Sequence, residues 1–84
     1  MKNTNPFIRI YTAEGNTILN INNVVSVETD SFKSGGETKT YEMIVETTDG
    51  KKRVFRYSTE QYGEDAMDMR DNAIEALTGL SEDD

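Results

Sequence analysis

The chain has 84 residues, no cysteine, no histidine and a net charge of −7. At this length one domain of about 12 Å radius of gyration is expected, hiding roughly 60–65% of the unfolded surface, so a thin core fits and a deep substrate cavity beside it does not. The missing residue types exclude disulfides, thiolate nucleophiles, histidine general bases and Cys/His metal sites. Acid is unevenly placed: residues 1–57 carry eight basic and seven acidic side chains, whereas residues 58–84 carry one basic and nine acidic.

In chain order, Met1 to Pro6 has no apolar run of the signal-peptide kind, and no later stretch approaches the roughly 20 apolar residues of a bilayer span. A soluble, cytoplasmic protein without membrane contact is the expectation. Residues 1–5 and 81–84 hold nothing to bury and are expected to be disordered ends of a single domain over 1–84. Residues 7–12 (Phe7, Ile8, Arg9, Ile10, Tyr11, Thr12) alternate with period two and favour a strand with Ile8 and Ile10 on one face. A turn at 13–16 leads to a second strand over 17–21, a polar corner at Asn22 and Asn23, and a third strand over 24–29. Residues 30–39, centred on Ser34, Gly35 and Gly36, read as a mobile hairpin loop.

The strongest local signal follows. Residues 40–48 and 53–57 alternate on either side of Asp49 and Gly50, a pair that accepts the positive φ angles of a tight hairpin. Tyr41, Met43 and Val45 then share one face, with Phe55 and Tyr57 on one face of the neighbouring strand, and Ile44 and Val54 point the other way. Ser58 or Thr59 caps a helix over about 60–78, whose apolar stripe is Tyr62, Ala66, Met69, Ala73, Leu77 and Leu80, widened by Ile74. Gly63 weakens its first turn and Gly79 suits its C-terminal cap. The fold class is therefore α+β: an antiparallel meander of four to five strands over about 7–57 with one C-terminal amphipathic helix packed on it.

The strand and corner from Ile18 to Glu28 (Ile-Leu-Asn-Ile-Asn-Asn-Val-Val-Ser-Val-Glu), the turn from Thr48 to Lys52 and the terminal helix together resemble small bacterial FlbD-like proteins, and more loosely halves of pleckstrin-homology-like domains. The resemblance spans about half the chain. It implies the same layout and an interaction role, and it carries over no site residue.

No catalytic residue is expected. Ser26, Ser31, Ser34 and Ser58 lack a histidine to activate them, and Lys33 beside Ser34 lies in the glycine-rich loop. Glu42 and Glu46 share a strand face but would need a cleft that so short a chain lacks. Asp65, Asp68 and Asp71 recur every three residues, with Glu64 and Glu75 around them; the spacing matches no calcium loop, and the expectation is a solvated acidic face with no metal and no cofactor. Arg9, Lys51, Lys52, Arg53 and Arg56 form a candidate basic stripe near Tyr11 and Val54, yet the whole molecule repels phosphate, so direct nucleic-acid binding is not expected.

Two surfaces are candidates for binding another protein. One is the sheet face not covered by the helix: Phe7, Tyr11, Ile44 and Val54. These residues make an exposed patch, which would suit a partner or a homodimer, unless the sheet curls closed and buries them; the sequence leaves both open. The other is the acidic helix, with Glu64, Asp65, Asp68, Asp71 and Glu75. Together with Glu60 and the tail acids it presents a row of charge along about 28 Å, at 1.5 Å per residue, similar to that of small acidic phage inhibitors of the anti-CRISPR and anti-restriction kind, which implies a basic, nucleic-acid-binding partner whose groove it fills.

Overall fold

Period-two alternation builds the strands, and the chain's polar corners decide where one sheet stops and another begins. In a computed structural model, residues 6–79 are described; the expectations for residues 1–5, for Leu80 and for 81–84 lie outside them. Strands β1 (Phe7–Thr12) and β2 (Gly15–Asn20) form a hairpin with Phe7 opposite Asn20 and Thr12 opposite Gly15. A 3-10 turn over Ile21–Asn23, capped by the Asn20 side chain accepting from the Asn22 N–H at 2.9 Å, then swings the chain away. Strands β3 (Val24–Gly35), β4 (Thr38–Thr47) and β5 (Lys52–Ser58) make a second antiparallel sheet in that order. The five strands are thus a meander divided into two sheets, because the turn at Ile21–Asn23 keeps β2 from pairing with β3.

The β4–β5 connection is the tight turn its residues demand. Gly50 takes φ +83° and donates its N–H to the Thr47 carbonyl, while Asp49 Oδ1 accepts from Thr47 Oγ1 and from the Lys51 N–H at 3.1 Å. Those two hydrogen bonds, the Thr47 one first, hold the Asp49 carboxyl below its usual range. The resulting register sets Met43 opposite Phe55, Tyr41 opposite Tyr57 and Ile44 opposite Val54.

Residues 30–39 are not a loop. β3 continues through Gly35 and pairs with β4 out to Gly35 opposite Thr38, so only Gly36 and Glu37 turn. The backbone ladder extends although side chains from Glu28 to Glu37 are exposed. β5 stops at Ser58, opposite Thr40, so the distal part of the β3–β4 hairpin is a two-stranded arm beyond the third strand. The chain measures 48 × 29 × 25 Å with a radius of gyration of 13.4 Å, larger than the compact expectation.

The C-terminal segment packs on the sheet. Ser58 caps α1 (Thr59–Tyr62) by accepting from the Gln61 N–H, and Thr59 Oγ1 accepts from the Lys39 N–H at 2.9 Å, tying the helix start to β4. Gly63, at φ +64° and ψ −139°, breaks the helix in a conformation that side-chain-bearing residues avoid. A 3-10 turn over Gly63–Asp65 then leads into α2 (Ala66–Thr78), which ends where the Gly79 N–H reaches the Glu75 carbonyl. Ala66 and Leu77 of α2 close over Met43, Val45, Phe55 and Tyr57, and Ile10 and Leu19 complete this core from the hairpin. Burial, with Tyr62 nearby, pushes the Tyr57 phenol up to about 12. Among the described residues no helix is long and apolar enough to cross a membrane.

Candidate interaction surfaces

Strand pleating sorts the sheet-face candidates. Ile8, Ile10 and Leu19 turn to the core, so Phe7, Arg9, Tyr11 and Ile18 turn outward from β1 and β2. Phe7 is 54% exposed, Tyr11 60% and Ile18 55%, and the three line one shallow depression with Ile8 and Arg9. The Arg9 guanidinium lies 6.0 Å from the Tyr11 ring centroid, a geometry in which the cation meets the negative face of the ring. Val54 is 42% exposed and lines a cleft with Arg53, Phe55 and the hairpin turn from Thr12 to Thr17. Its cross-strand neighbour Ile44 is half-buried. The four expected residues therefore fall into two pairs, with Phe7 and Tyr11 on the hairpin and Ile44 and Val54 on the larger sheet.

Ile18 belongs to the first pair and was not among the sequence candidates. Its signal was the β1–β2 register: opposite Arg9, it shares the face of Phe7 and Tyr11 rather than that of Leu19.

The acidic candidates are divided by the break at Gly63. Glu64 and Asp65 sit in the 3-10 turn, and Asp68, Asp71 and Glu75 on α2, which is about 20 Å long at 1.5 Å per residue. Glu64, Asp65, Asp68 and Glu75 are exposed. Asp71 is half-buried and accepts from Arg70 Nε at 3.1 Å and Nη2 at 2.9 Å. Arg70 itself is buried, and its guanidinium lies 5.4 Å from the Tyr41 ring centroid while Lys39 Nζ lies 5.3 Å from it. Sequence reasoning passed over Arg70, although it stands four residues from both Ala66 and Ile74 and hence within the buried stripe. Among the described residues no group of three or more acidic side chains is placed to hold a metal ion.

The basic stripe is also split. Lys52 and Arg56 share the outer face of β5 with Val54, whereas Arg53, opposite Val45, projects to the other side. Arg56 Nε donates to Glu42 Oε2 at 2.6 Å, so that cation is already paired. The polar groups weighed for catalysis take part in local bonds: Ser26 Oγ donates to Glu46 Oε1, Thr40 Oγ1 donates to Ser34 Oγ and Ser58 Oγ caps α1.

No protein-family model matches the chain, and no curated protein and no solved structure matches it.

Proposed function

We infer that the chain is a small, non-catalytic protein–protein interaction module of the cytoplasm, which engages another protein, or a second copy, through the outward surface of Phe7, Tyr11, Ile44 and Val54, extended by Ile18. The observation that carries this reading is the grouping of Phe7, Tyr11 and Ile18, each more than half exposed, on one face of a hairpin whose other face is core. Large apolar side chains clustered on a small surface favour association, since each buried Å² of apolar area contributes roughly 25 cal/mol.

A second reading, an acidic inhibitor that occupies the groove of a basic nucleic-acid-binding protein, is favoured by the exposure of Glu64, Asp65, Asp68 and Glu75. Of the five acids proposed for it, Asp71 contributes least, being held by Arg70.

One experiment separates the two. Sedimentation equilibrium and capture from lysate, at low and high salt, compare the native chain with a Tyr11→Asp, Val54→Asp variant and with an Asp65→Asn, Asp68→Asn, Asp71→Asn variant. A dimer or partner that survives high salt and disappears with Tyr11→Asp, Val54→Asp supports the module. A partner lost with salt and with the three aspartates supports the inhibitor and sinks the sheet-face reading.

A further inference from the structure

The longest strand, β3, is an edge strand of the larger sheet. Among the described residues β3 pairs with β4 alone, and its other edge, along Val24–Gly35, meets no strand. Such an edge offers backbone N–H and C=O groups for pairing. From Glu28 to Phe32 this edge belongs to a three-stranded sheet, since the β4 partners Ile44, Glu42 and Thr40 each pair with β5, so an added strand would extend a ladder already in place.

The outer-face charges define what that strand must carry. Directly opposed residues share a face, so the outer row of β3 is Ser26, Glu28, Asp30 and Phe32, beside Glu46, Ile44, Glu42 and Thr40 of β4. Across β4, Arg56 answers Glu42 and Lys52 stands opposite Glu46. The Glu28 carboxylate has no hydrogen bond or ion pair among the described residues, and the Asp30 carboxylate accepts only from the Ser31 N–H at 2.8 Å. The sheet thus runs basic on β5 and acidic on β4, ending in two acids on β3 that face no cation.

We propose that the free edge of β3 is a strand-addition site for an extended, basic segment of a partner protein, with Lys or Arg opposite Glu28 and Asp30 and an apolar residue opposite Phe32. In antiparallel pairing the segment reads apolar-x-basic-x-basic. A second copy of β3 does not fit, because its outer row holds no base: Lys33 lies on the other face, so self-pairing sets Glu28 and Asp30 against acids, Phe32 or serine. This site is separate from the outward surface of Phe7 and Tyr11 and stands whether or not that surface binds.

The test titrates the isotope-labelled full chain with a short peptide alternating threonine and lysine behind a leading valine, its counterpart with glutamate for lysine, and the lysine peptide N-methylated at alternate backbone amides. The lysine peptide is expected to shift and protect the amides from Val27 to Lys33, weakening at least about tenfold from low salt to 0.5 M as exposed charges are screened. The glutamate and N-methylated peptides are expected not to bind, and a Glu28→Lys, Asp30→Lys chain to prefer the glutamate peptide. Equal binding of the N-methylated peptide would reduce the effect to charge attraction without strand addition. Shifts confined to Glu64, Asp68 and Glu75, or no binding of the lysine peptide, would also overturn the proposal.

Discussion

The two hairpins that share β4 are ordered by different forces. Along β4 and β5 between the Asp49 turn and Ser58, Met43, Val45, Phe55 and Tyr57 are buried beneath α2, so side-chain burial and backbone pairing reinforce one another. At the other end, β3 and β4 keep their ladder out to Gly35 and Thr38 while exposing almost every β3 side chain from Glu28 onward. The contrast teaches that this sheet has a stability gradient along β4: one end is held by the core, the other by hydrogen bonds whose net worth is only about 1 kcal/mol each.

The gradient breaks most visibly by deleting atoms. Met43→Ala, at a fully buried site, is expected to cost about 2–5 kcal/mol in urea unfolding, whereas Phe32→Ala, at the exposed base of the arm, is expected to stay within about 0.5 kcal/mol. Equal losses would mean that the arm is packed after all. Gly63→Ala comes next: its φ of +64° with ψ −139° is a region that L-residues avoid, so a loss of about 1–3 kcal/mol is expected. Thermal melting should register it with the sheet otherwise intact.

Titration gives finer resolution. Tyr57 has its phenol raised to about 12, so the neutral form that burial favours stabilises the fold fully below the unfolded value near 10, and that contribution is lost as pH rises from about 10 through 12. Ultraviolet titration should therefore show one of the four tyrosines ionising late, together with an alkaline loss of stability that Tyr57→Phe diminishes. The smallest effect belongs to Asp49. Its folded value is lowered, so its contribution is present above the unfolded value near 3.8 and fades as pH falls through the folded one. Asp49→Asn should flatten the acid limb of stability against pH without altering the alkaline limb.

Where burial and pairing agree, the sequence was legible. The alternation at Met43, Val45, Phe55 and Tyr57, the Asp49–Gly50 turn and the stripe through Ala66, Ala73 and Leu77 each encode a face, and each element is where that face implies. The arm was hidden because a strand exposed on both faces has no alternation to read, and Ser34, Gly35 and Gly36 resemble a long loop as easily as one tight tip. The division into two sheets was hidden for another reason: it depends on the 3-10 turn at Ile21–Asn23, a local choice that its polar residues permit without dictating. Phe7, Tyr11 and Val54 could be assigned a direction from pleating alone, but their exposure, and the addition of Ile18, depended on how the hairpin lies against β5.

Among the described residues every strand pairs with a neighbour in the chain, β1 with β2, β3 with β4 and β4 with β5. Loop closure is therefore cheap at each pairing, and contacts local in sequence favour rapid folding. Two events are distant in sequence: the closure of α2 over β4, and the arrival of the N-terminal hairpin, which must bring Ile10 and Leu19 to a core whose other members begin at Met43. The folding order expected from this topology has the β3–β5 sheet forming first and the hairpin that bears Phe7, Tyr11 and Ile18 docking on it late, an order that hydrogen-exchange labelling during refolding would check.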